Sequence, residues 1–255
     1  MIEFLPVIVL VLSFLVLLMM GVPVAWCIAT SSMFTLMVAM PFSAAATTVS
    51  QRIATGLDSF ALLAIPFFIL SGQIMSKGGI AHRLISFAKT LVGFLPGGLA
   101  LINIVSAMLM GAIAGSAMAS ASAMGTILGP EMEKEGYSKE FGAAVNITSS
   151  TTGLVIPPSN TLIVYSLASG GVSIAALFLA GYIPGILTGL LMMIVAMIWA
   201  KKNNYPVGKR ATLKEVFVAF IDAFPSLLLL VIVIGGIIGG AFTATEASAV
   251  AVLYT

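Results

Sequence analysis

Residues 95–160 read LPGGLALINIVSAMLMGAIAGSAMASASAMGTILGPEMEKEGYSKEFGAAVNITSSTTGLVIPPSN, and they decide how the rest of the chain is interpreted. Two apolar arms meet at the small-residue run Gly111–Ala117, and each arm is short for the roughly 20 residues that a membrane-crossing helix needs. A charged loop, Glu131–Glu140, is followed by hydroxyl groups at Thr148–Thr152 and a break at Pro157–Pro158. Helix interruptions at membrane depth leave backbone groups without partners unless they line a cavity, so two close interruptions predict a transport site.

The composition excludes a soluble globular protein. Hydrophobic residues make up 60% of the 255 residues and charged residues 8%, whereas soluble domains carry about 25% charged residues. The mean hydropathy of +1.17 is typical of a protein embedded in the lipid bilayer. The net charge of +2 is too small to indicate a nucleic-acid partner, and the single cysteine, Cys27, excludes a disulfide framework or a cysteine metal cluster.

Several apolar stretches predict helices that cross the membrane. The first carries Glu3 rather than a basic segment at its start, so it is interpreted as a span and not as a signal peptide. Between the spans, Phe42–Asp58 predicts a polar connector, and Lys77–Lys89 and Leu213–Phe224 predict amphipathic helices in the membrane interface. The predicted spans are Phe4–Met20, Val22–Met40, Phe60–Ser76, Phe141–Ala168, Ile174–Ala200, Pro225–Ala241 and the start of another at Thr243.

The positions of the basic residues predict the orientation of the chain. We place the N-terminus outside and treat residues 95–130 as a re-entrant hairpin or two spans, which returns the chain to the same side. Of the 11 Lys and Arg residues, only Arg52 is then outside. This distribution is what the positive-inside rule requires.

Two segments indicate an internal repeat. MMGVPVAWCIATSSMF (19–34) and IGGAFTATEASAVAVL (238–253) each place a polar or proline break between two apolar arms. The first span starts outside and the span at Pro225 starts inside, so such a repeat would be inverted in the membrane, a common transporter plan. The sequence stops at Thr255 within an apolar run, so we expect a second repeat that is only begun here.

The hairpin at residues 95–130 allows two interpretations. One is a packing face, because small residues four apart let helix backbones approach closely. The other is a helical hairpin whose tip exposes backbone carbonyls and amides to a cavity, with serine hydroxyls beside it. The small residues are Gly111, Gly115, Ala119 and Ala123, and the serines are Ser116, Ser120 and Ser122.

The segment TSSTTGLVIPPSN (148–160) allows either a simple kink or a binding site. Pro157–Pro158 opens the helix because proline lacks a backbone donor and disfavours helical geometry in the preceding residue. In the functional interpretation, freed carbonyls upstream bind a cation and amides downstream face an anion, with Ser159 and Asn160 near the cap. Neutral hydroxyl and carbonyl oxygens suit a hard cation such as sodium.

The distribution of charged residues bears on the coupling ion and on the choice between a transporter and an intramembrane enzyme. Residues 95–130 and 141–200 contain no Lys, Arg, Asp, Glu or His, which favours sodium over a proton as the coupling ion. Glu246, the one carboxylate in the late apolar segment, is a functional candidate, although its position near a turn also fits a helix cap. An intramembrane enzyme, the alternative from another class, needs a base at membrane depth, and the only histidine, His82, lies in an interfacial stretch. We therefore predict a transporter and not an enzyme.

Four segments together resemble the large membrane subunit of tripartite ATP-independent periplasmic (TRAP) transporters, and the resemblance covers essentially the whole chain. It implies an elevator-type secondary transporter of the bacterial inner membrane, with a periplasmic N-terminus and two inverted repeats, each with a re-entrant hairpin and a broken helix. It also implies sodium-coupled uptake of small organic acids such as C4-dicarboxylates, sialic acid or sugar acids. The implied partners are a small four-helix membrane subunit and a periplasmic substrate-binding protein, with no cofactor. The segments are GAIAGSAMASASAMGTILGPEMEKEGYSKEFGAAV (111–145), SSTTGLVIPPSNTLIVYS (149–166), LFLAGYIPGIL (177–187) and GGAFTATEASAVAVLY (239–254).

The resemblance also implies a division of the chain and a set of site residues. Residues 1–94 correspond to scaffold helices and an interfacial arm, 95–200 to half of the transport domain, and 201–255 to a basic loop, an amphipathic helix and the start of the second repeat. A related divalent-anion symporter of similar elevator fold, which works without a binding protein, is the alternative; LFLAGYIPG and EGYSKEF disfavour it. The implied sodium ligands are Gly115, Ser116, Ser149, Ser150, Thr151, Thr152 and Gly153, and the implied substrate contacts are Ser116, Ser120, Pro157, Pro158, Ser159 and Asn160.

Overall fold

A computed structural model describes residues 4–255 of the chain. Over these residues the fold is all α, with two 3-10 turns, Phe60–Leu63 and Thr151–Leu154, and a single β-bridge between Pro96 and Val207. The helices are α1 (Leu5–Met19), α2 (Val24–Ala39), α3 (Phe42–Leu57), α4 (Ala64–Lys77), α5 (Ile80–Val92), α6 (Gly98–Ala114), α7 (Ala117–Lys134), α8 (Lys139–Ser150), α9 (Asn160–Ala168), α10 (Ile174–Lys202), α11 (Leu213–Ile238) and α12 (Ala244–Tyr254).

Three helical segments are long and apolar enough to cross a membrane: Phe60–Lys77, α10 and α11. Helices α1, α2 and α6 are apolar but shorter, between 10 and 17 residues. Large apolar side chains are exposed along α1, α2, α10 and α11, which fits a surface that faces lipid rather than water. The prediction of an all-α polytopic membrane protein is confirmed.

The described chain divides into two compact units, one ending at Ser59 and the other comprising Phe60–Thr255. In the first unit, α1 and α2 contact each other and are joined by a turn in which Gly21 has a φ of +79°. The prediction of a polar connector at Phe42–Asp58 was wrong, because α3 occupies Phe42–Leu57. The hydroxyls of Thr47 and Thr48 donate to helix carbonyls four residues earlier, at 2.9 and 2.8 Å, so the helix itself satisfies these polar side chains.

Helix α6 forms the centre of the second unit. It is apolar on all sides, and nearly all of its residues are buried, including Leu101, Ile104 and Met110. Helices α4, α5, α7, α8, α10 and α11 all contact it. The first arm of the predicted hairpin is therefore the core of this unit.

Two element boundaries differ from the sequence prediction. The predicted loop Glu131–Glu140 was too long, because α7 continues to Lys134 and α8 begins at Lys139. The stretches Leu213–Phe224 and Pro225–Ala241 were predicted as separate elements, but α11 runs through Pro225 to Ile238. An interior proline removes one helical hydrogen bond without ending the helix, which membrane proteins tolerate where neighbouring groups compensate.

The basic loops of the second unit lie together. The guanidinium of Arg83 is 3.7 Å from a carboxylate oxygen of Asp222, and Arg210 lies over the ring of Phe94 at 5.1 Å. The amide of Ser138 donates to the hydroxyl of Tyr205 at 3.3 Å. These contacts join α5 to α11 and bring residues 94 and 138 against the segment that follows α10.

An aromatic cluster holds the loop between α7 and α8 against the end of α10. The rings of Tyr137 and Tyr205 stack with centroids 4.3 Å apart, and Phe141 stacks on Trp199 at 6.1 Å. Burial raises the pKa of Tyr137 to about 12, so its phenol stays protonated over the physiological pH range.

Candidate functional site: the hairpin tip and the helix break

The hairpin tip consists of two residues between α6 and α7. Gly115 has a φ of +59°, a left-handed conformation that glycine adopts without steric cost. Ser116 caps α7, and its Oγ accepts a hydrogen bond from the amide of Ala119 at 3.4 Å. Because Gly115 ends α6 and Ser116 directly caps the start of α7, the chain reverses between the two helices in a tight turn.

The helix break follows α8. The chain passes through the 3-10 turn Thr151–Leu154 and then leaves helical geometry until Asn160, the first residue of α9. The peptide bond between Pro157 and Pro158 is cis. Ser159 holds the break from both sides, because its hydroxyl donates to the carbonyl of Leu154 at 2.6 Å and accepts from the amide of Leu162 at 3.4 Å.

The hairpin tip lies directly against the helix break. A Cβ atom placed on Gly115 would be 3.1 Å from the carbonyl oxygen of Pro158 and 3.4 Å from Nδ2 of Asn160. Oδ1 of Asn160 is buried and has no hydrogen-bond partner among residues 4–255. A buried carbonyl oxygen without a partner is costly, so this oxygen needs a hydrogen-bond donor or a cation from outside the described residues, either water or a ligand.

Two glycines bring the backbones of α6 and the 3-10 turn into contact. A Cβ on Gly111 would lie 2.5 Å from Cα of Gly153, and a Cβ on Gly153 would lie 2.7 Å from Cα of Gly111. Such a distance excludes any side chain at either position. The sequence analysis placed Gly111 in the run where the two arms meet. In the structure it belongs instead to the packed part of α6.

The hydroxyl groups of residues 149–152 donate their protons within the protein. Ser149 donates to Oδ1 of Asn103 at 3.2 Å, and Ser150, Thr151 and Thr152 donate to backbone carbonyls three or four residues earlier, at 2.7, 2.6 and 2.6 Å. A hydroxyl whose proton is donated keeps lone pairs that can accept from a cation. Ser149, Ser150 and Thr152 are buried, whereas Thr151 is exposed.

Ser120, one of the predicted substrate contacts, forms a hydrogen bond between the two arms of the hairpin. It is buried, and its hydroxyl donates to the carbonyl of Ala107 at 3.1 Å, which joins the two arms of the hairpin.

The predicted packing face of Gly111, Gly115, Ala119 and Ala123 was wrong as a single face, because α6 ends before Gly115 and the two alanines belong to α7.

A row of glycines in α10, which contacts the helix break and α6, was missed by the sequence analysis. Gly181 lies against the carbonyl of Val155, Gly185 against Ile156, and a Cβ on Gly189 would meet the thioether end of Met108. The signal was present as glycines four residues apart, the spacing that permits close helix contact.

Two side-chain amides, one buried and one partly buried, were also missed. Asn103 is 1% exposed and accepts from Ser149. Asn146 donates from Nδ2 to the carbonyl of Ala121 at 2.8 Å, and its Oδ1 is buried without a partner among the residues described. Both line a cavity of about 230 Å³ between α6, α7 and α8. A single asparagine in an apolar helix is the signal that identifies such positions.

Glu246 lies at the start of α12 in a capping box. Its carboxylate accepts from the amide and hydroxyl of Thr243 at 2.8 and 2.9 Å, and its own amide donates to the hydroxyl of Thr243 at 3.3 Å. The preceding residue, Thr245, donates through its hydroxyl to the carbonyl of Phe60 at 2.8 Å. This geometry accounts for a carboxylate in an apolar segment by helix capping.

The comparisons with known proteins agree with this architecture. The family model for "Tripartite ATP-independent periplasmic transporter, DctM component" matches residues 11–255. The chain belongs to the DctM family of TRAP transporter permeases. The family is one of transporter permeases.

Individual DctM relatives match most of the chain. The Salmonella typhimurium protein YgiK is 57% identical over 98% of this chain and 58% of its own length. The C4-dicarboxylate TRAP transporter large permease protein DctM of Vibrio cholerae is 42% identical over 92% of this chain and 51% of its own. The sialic acid TRAP transporter large permease protein SiaM of the same species is 40% identical over 80% and 48%. The chain spans about half the length of the curated relatives it matches.

Proposed function

We propose that this chain forms part of the large permease of a TRAP transporter that takes up small organic acids across the bacterial inner membrane, driven by sodium. The observation that carries the proposal is the junction of hairpin tip and helix break. There Gly115 lies against Pro158 and Asn160, and the buried Oδ1 of Asn160 has no partner among the residues described. Two interrupted elements that meet in this way resemble the binding sites of secondary transporters.

Sodium fits the oxygen groups near this junction. The hydroxyl oxygens of Ser149, Ser150 and Thr152 donate their protons to protein acceptors and keep lone pairs that can face a cation. Both hairpin helices contact the turn Thr151–Leu154, so the backbone groups of Gly115 and Ser116 lie in the same region. These ligands are neutral oxygens, which suit a hard monovalent cation. A proton carrier at membrane depth is ordinarily a carboxylate, a histidine or a basic side chain, and residues 141–200 contain no Asp, Glu, His, Lys or Arg.

A carboxylate fits the downstream side of the break. Helix α9 begins at Asn160, so its first amides point toward residues 157–159 and carry the positive end of the helix dipole. Among the relatives with named substrates, two are named for C4-dicarboxylates and for sialic acid, which carry carboxylates, whereas one is named for isethionate, a sulfonate. We therefore propose an organic acid whose carboxylate is held at Pro157–Asn160.

The remaining parts of the proposal concern assembly and motion. We propose that the permease works with a small membrane subunit and a periplasmic substrate-binding protein, as the tripartite family name suggests. We also propose an elevator movement in which the hairpin and broken helix travel together. The contact of Gly111 with Gly153 supports this, because backbones packed so closely move as one body.

The experiment is uptake of labelled organic acids into liposomes that contain the assembled transporter. A panel of C4-dicarboxylates, sialic acid and sugar acids is offered with an inward sodium gradient, with a pH gradient or with neither. The proposal predicts uptake of at least one acid with the sodium gradient alone. Uptake that follows the pH gradient and ignores sodium would contradict the ion assignment, and activity on no acid would contradict the substrate class.

A further inference from the structure

A basic pocket lies between α5, the segment 209–212 and the first half of α11. Its volume is about 1450 Å³. Five cationic side chains line it: Arg83, Lys89, Lys209, Arg210 and Lys214. This pocket, which we call the arm pocket, is separate from the hairpin tip and the helix break.

The positive charge of the arm pocket is not balanced by its carboxylates. Only Glu215 and Asp222 line it. Asp222 pairs with Arg83 at 3.7 Å, and Glu215 is engaged by the amide and hydroxyl of Thr212 at 2.7 and 3.0 Å. Within residues 4–255, Lys89, Lys209 and Lys214 have no salt-bridge partner. The pocket therefore attracts an anion.

The same pocket has an apolar wall on α11. Phe217, Val218 and Ile221 line it and are 64%, 57% and 55% exposed. These side chains continue along the helix from the cluster of basic residues toward the apolar half of α11. A small soluble anion would leave this wall uncovered, whereas a molecule with an anionic head and an apolar chain would cover both parts.

We propose that the arm pocket binds an acidic phospholipid. The phosphodiester head contacts Lys209, Arg210 and Lys214, and one acyl chain lies along Phe217 and Ile221. Basic pockets between helices of membrane proteins bind acidic head groups by this combination of charge and apolar contact. The amphipathic helix α5 on the opposite wall is the type of helix that lies at the head-group level of a bilayer.

The test is lipid retention by the purified permease, measured by mass spectrometry after solubilisation from an equal mixture of phosphatidylglycerol and phosphatidylcholine. The variant Lys209→Gln/Arg210→Gln/Lys214→Gln removes three charges from the arm pocket. The matched control Lys134→Gln/Lys201→Gln/Lys202→Gln removes three charges from the ends of α7 and α10, outside the pocket. A third arm adds excess inorganic phosphate to the wild-type protein.

We expect the wild-type protein and the control to retain phosphatidylglycerol preferentially, and the pocket variant to lose the preference by about tenfold or more. Equal retention of phosphatidylglycerol by all three proteins, or equal loss in both variants, would overturn the proposal. Either result would show that retention does not depend on the basic residues of the arm pocket in particular. Full displacement by inorganic phosphate would overturn the lipid assignment in favour of a simple anion site. Phe217→Ser keeps every charge and should weaken retention, which tests the apolar wall independently.

Discussion

Gly111 and Gly153 lie so close that a Cβ atom on Gly111 would be 2.5 Å from Cα of Gly153. One belongs to the hairpin and the other to the turn before the helix break, so this pair joins the two interrupted elements. The contact fixes where the hydroxyls of residues 149–152 lie relative to the hairpin. It is therefore the structural basis of the candidate site.

Alanine at either glycine should separate the two backbones. We expect Gly111→Ala and Gly153→Ala each to destabilise the permease by about 1–3 kcal/mol through overpacking, and to abolish uptake. Thermal unfolding in detergent and uptake in liposomes measure the two effects. Gly129→Ala is the control, because a Cβ there meets nothing within 4 Å; it should be neutral or slightly stabilising. Equal behaviour of the three variants would contradict the packing argument.

The buried pair of Ser149 and Asn103 should be energetically coupled. Ser149→Ala removes the donor to Oδ1 of Asn103 and leaves a buried acceptor without its partner, which costs about 1–3 kcal/mol. A double-mutant cycle with Asn103→Leu should give a coupling of about 0.5–3 kcal/mol. Ser150→Ala is the matched control, since its hydroxyl bonds only within its own helix, and its cycle with Asn103→Leu should give almost none.

The glycines of α10 should differ in their tolerance of alanine. A Cβ on Gly181 meets the carbonyl of Val155, which is backbone at the break, whereas a Cβ on Gly189 meets the flexible end of Met108. Gly181→Ala should therefore lower both thermal stability and uptake strongly, while Gly189→Ala should have a small effect on each. The reverse order would show that the break does not depend on this packing.

Glu246 should act through its geometry rather than its charge. Glutamine also completes a capping box, so Glu246→Gln should retain uptake, whereas Thr243→Ala should lower thermal stability because the start of α12 loses its cap. Thr212→Ala, which removes the equivalent cap of α11, provides the comparison. Loss of uptake in Glu246→Gln without loss of stability would instead support a transport role for the carboxylate.

The sequence predicted the hairpin and the break because their signals are local. Gly115 with Ser116, and Pro157 with Pro158, each impose a backbone geometry that needs no knowledge of distant residues. The partners of these elements were not predictable. Nothing in the spacing of Gly111 or Asn103 indicates that they contact Gly153 and Ser149, which follow more than 40 residues later.

The errors in element boundaries have equally physical causes. The Ser/Thr-rich stretch 42–57 appeared to be a connector, but its hydroxyls are satisfied within α3. Pro225 appeared to be a boundary, but α11 continues through it. In both places the helix extends where composition or a single proline suggested a boundary, because local propensity is a weak predictor of helix ends.

The most direct test of the account concerns Asn160, whose buried Oδ1 lies at the junction of tip and break. Asn160→Leu keeps the approximate size and removes a buried polar group without a partner, so a purely structural role predicts equal or greater stability with uptake preserved. We predict equal or greater thermal stability together with a loss of sodium-driven uptake of about tenfold or more, whereas the exposed control Asn203→Ala keeps both. Sodium-driven uptake that survives in Asn160→Leu would contradict the assignment of the site to this junction.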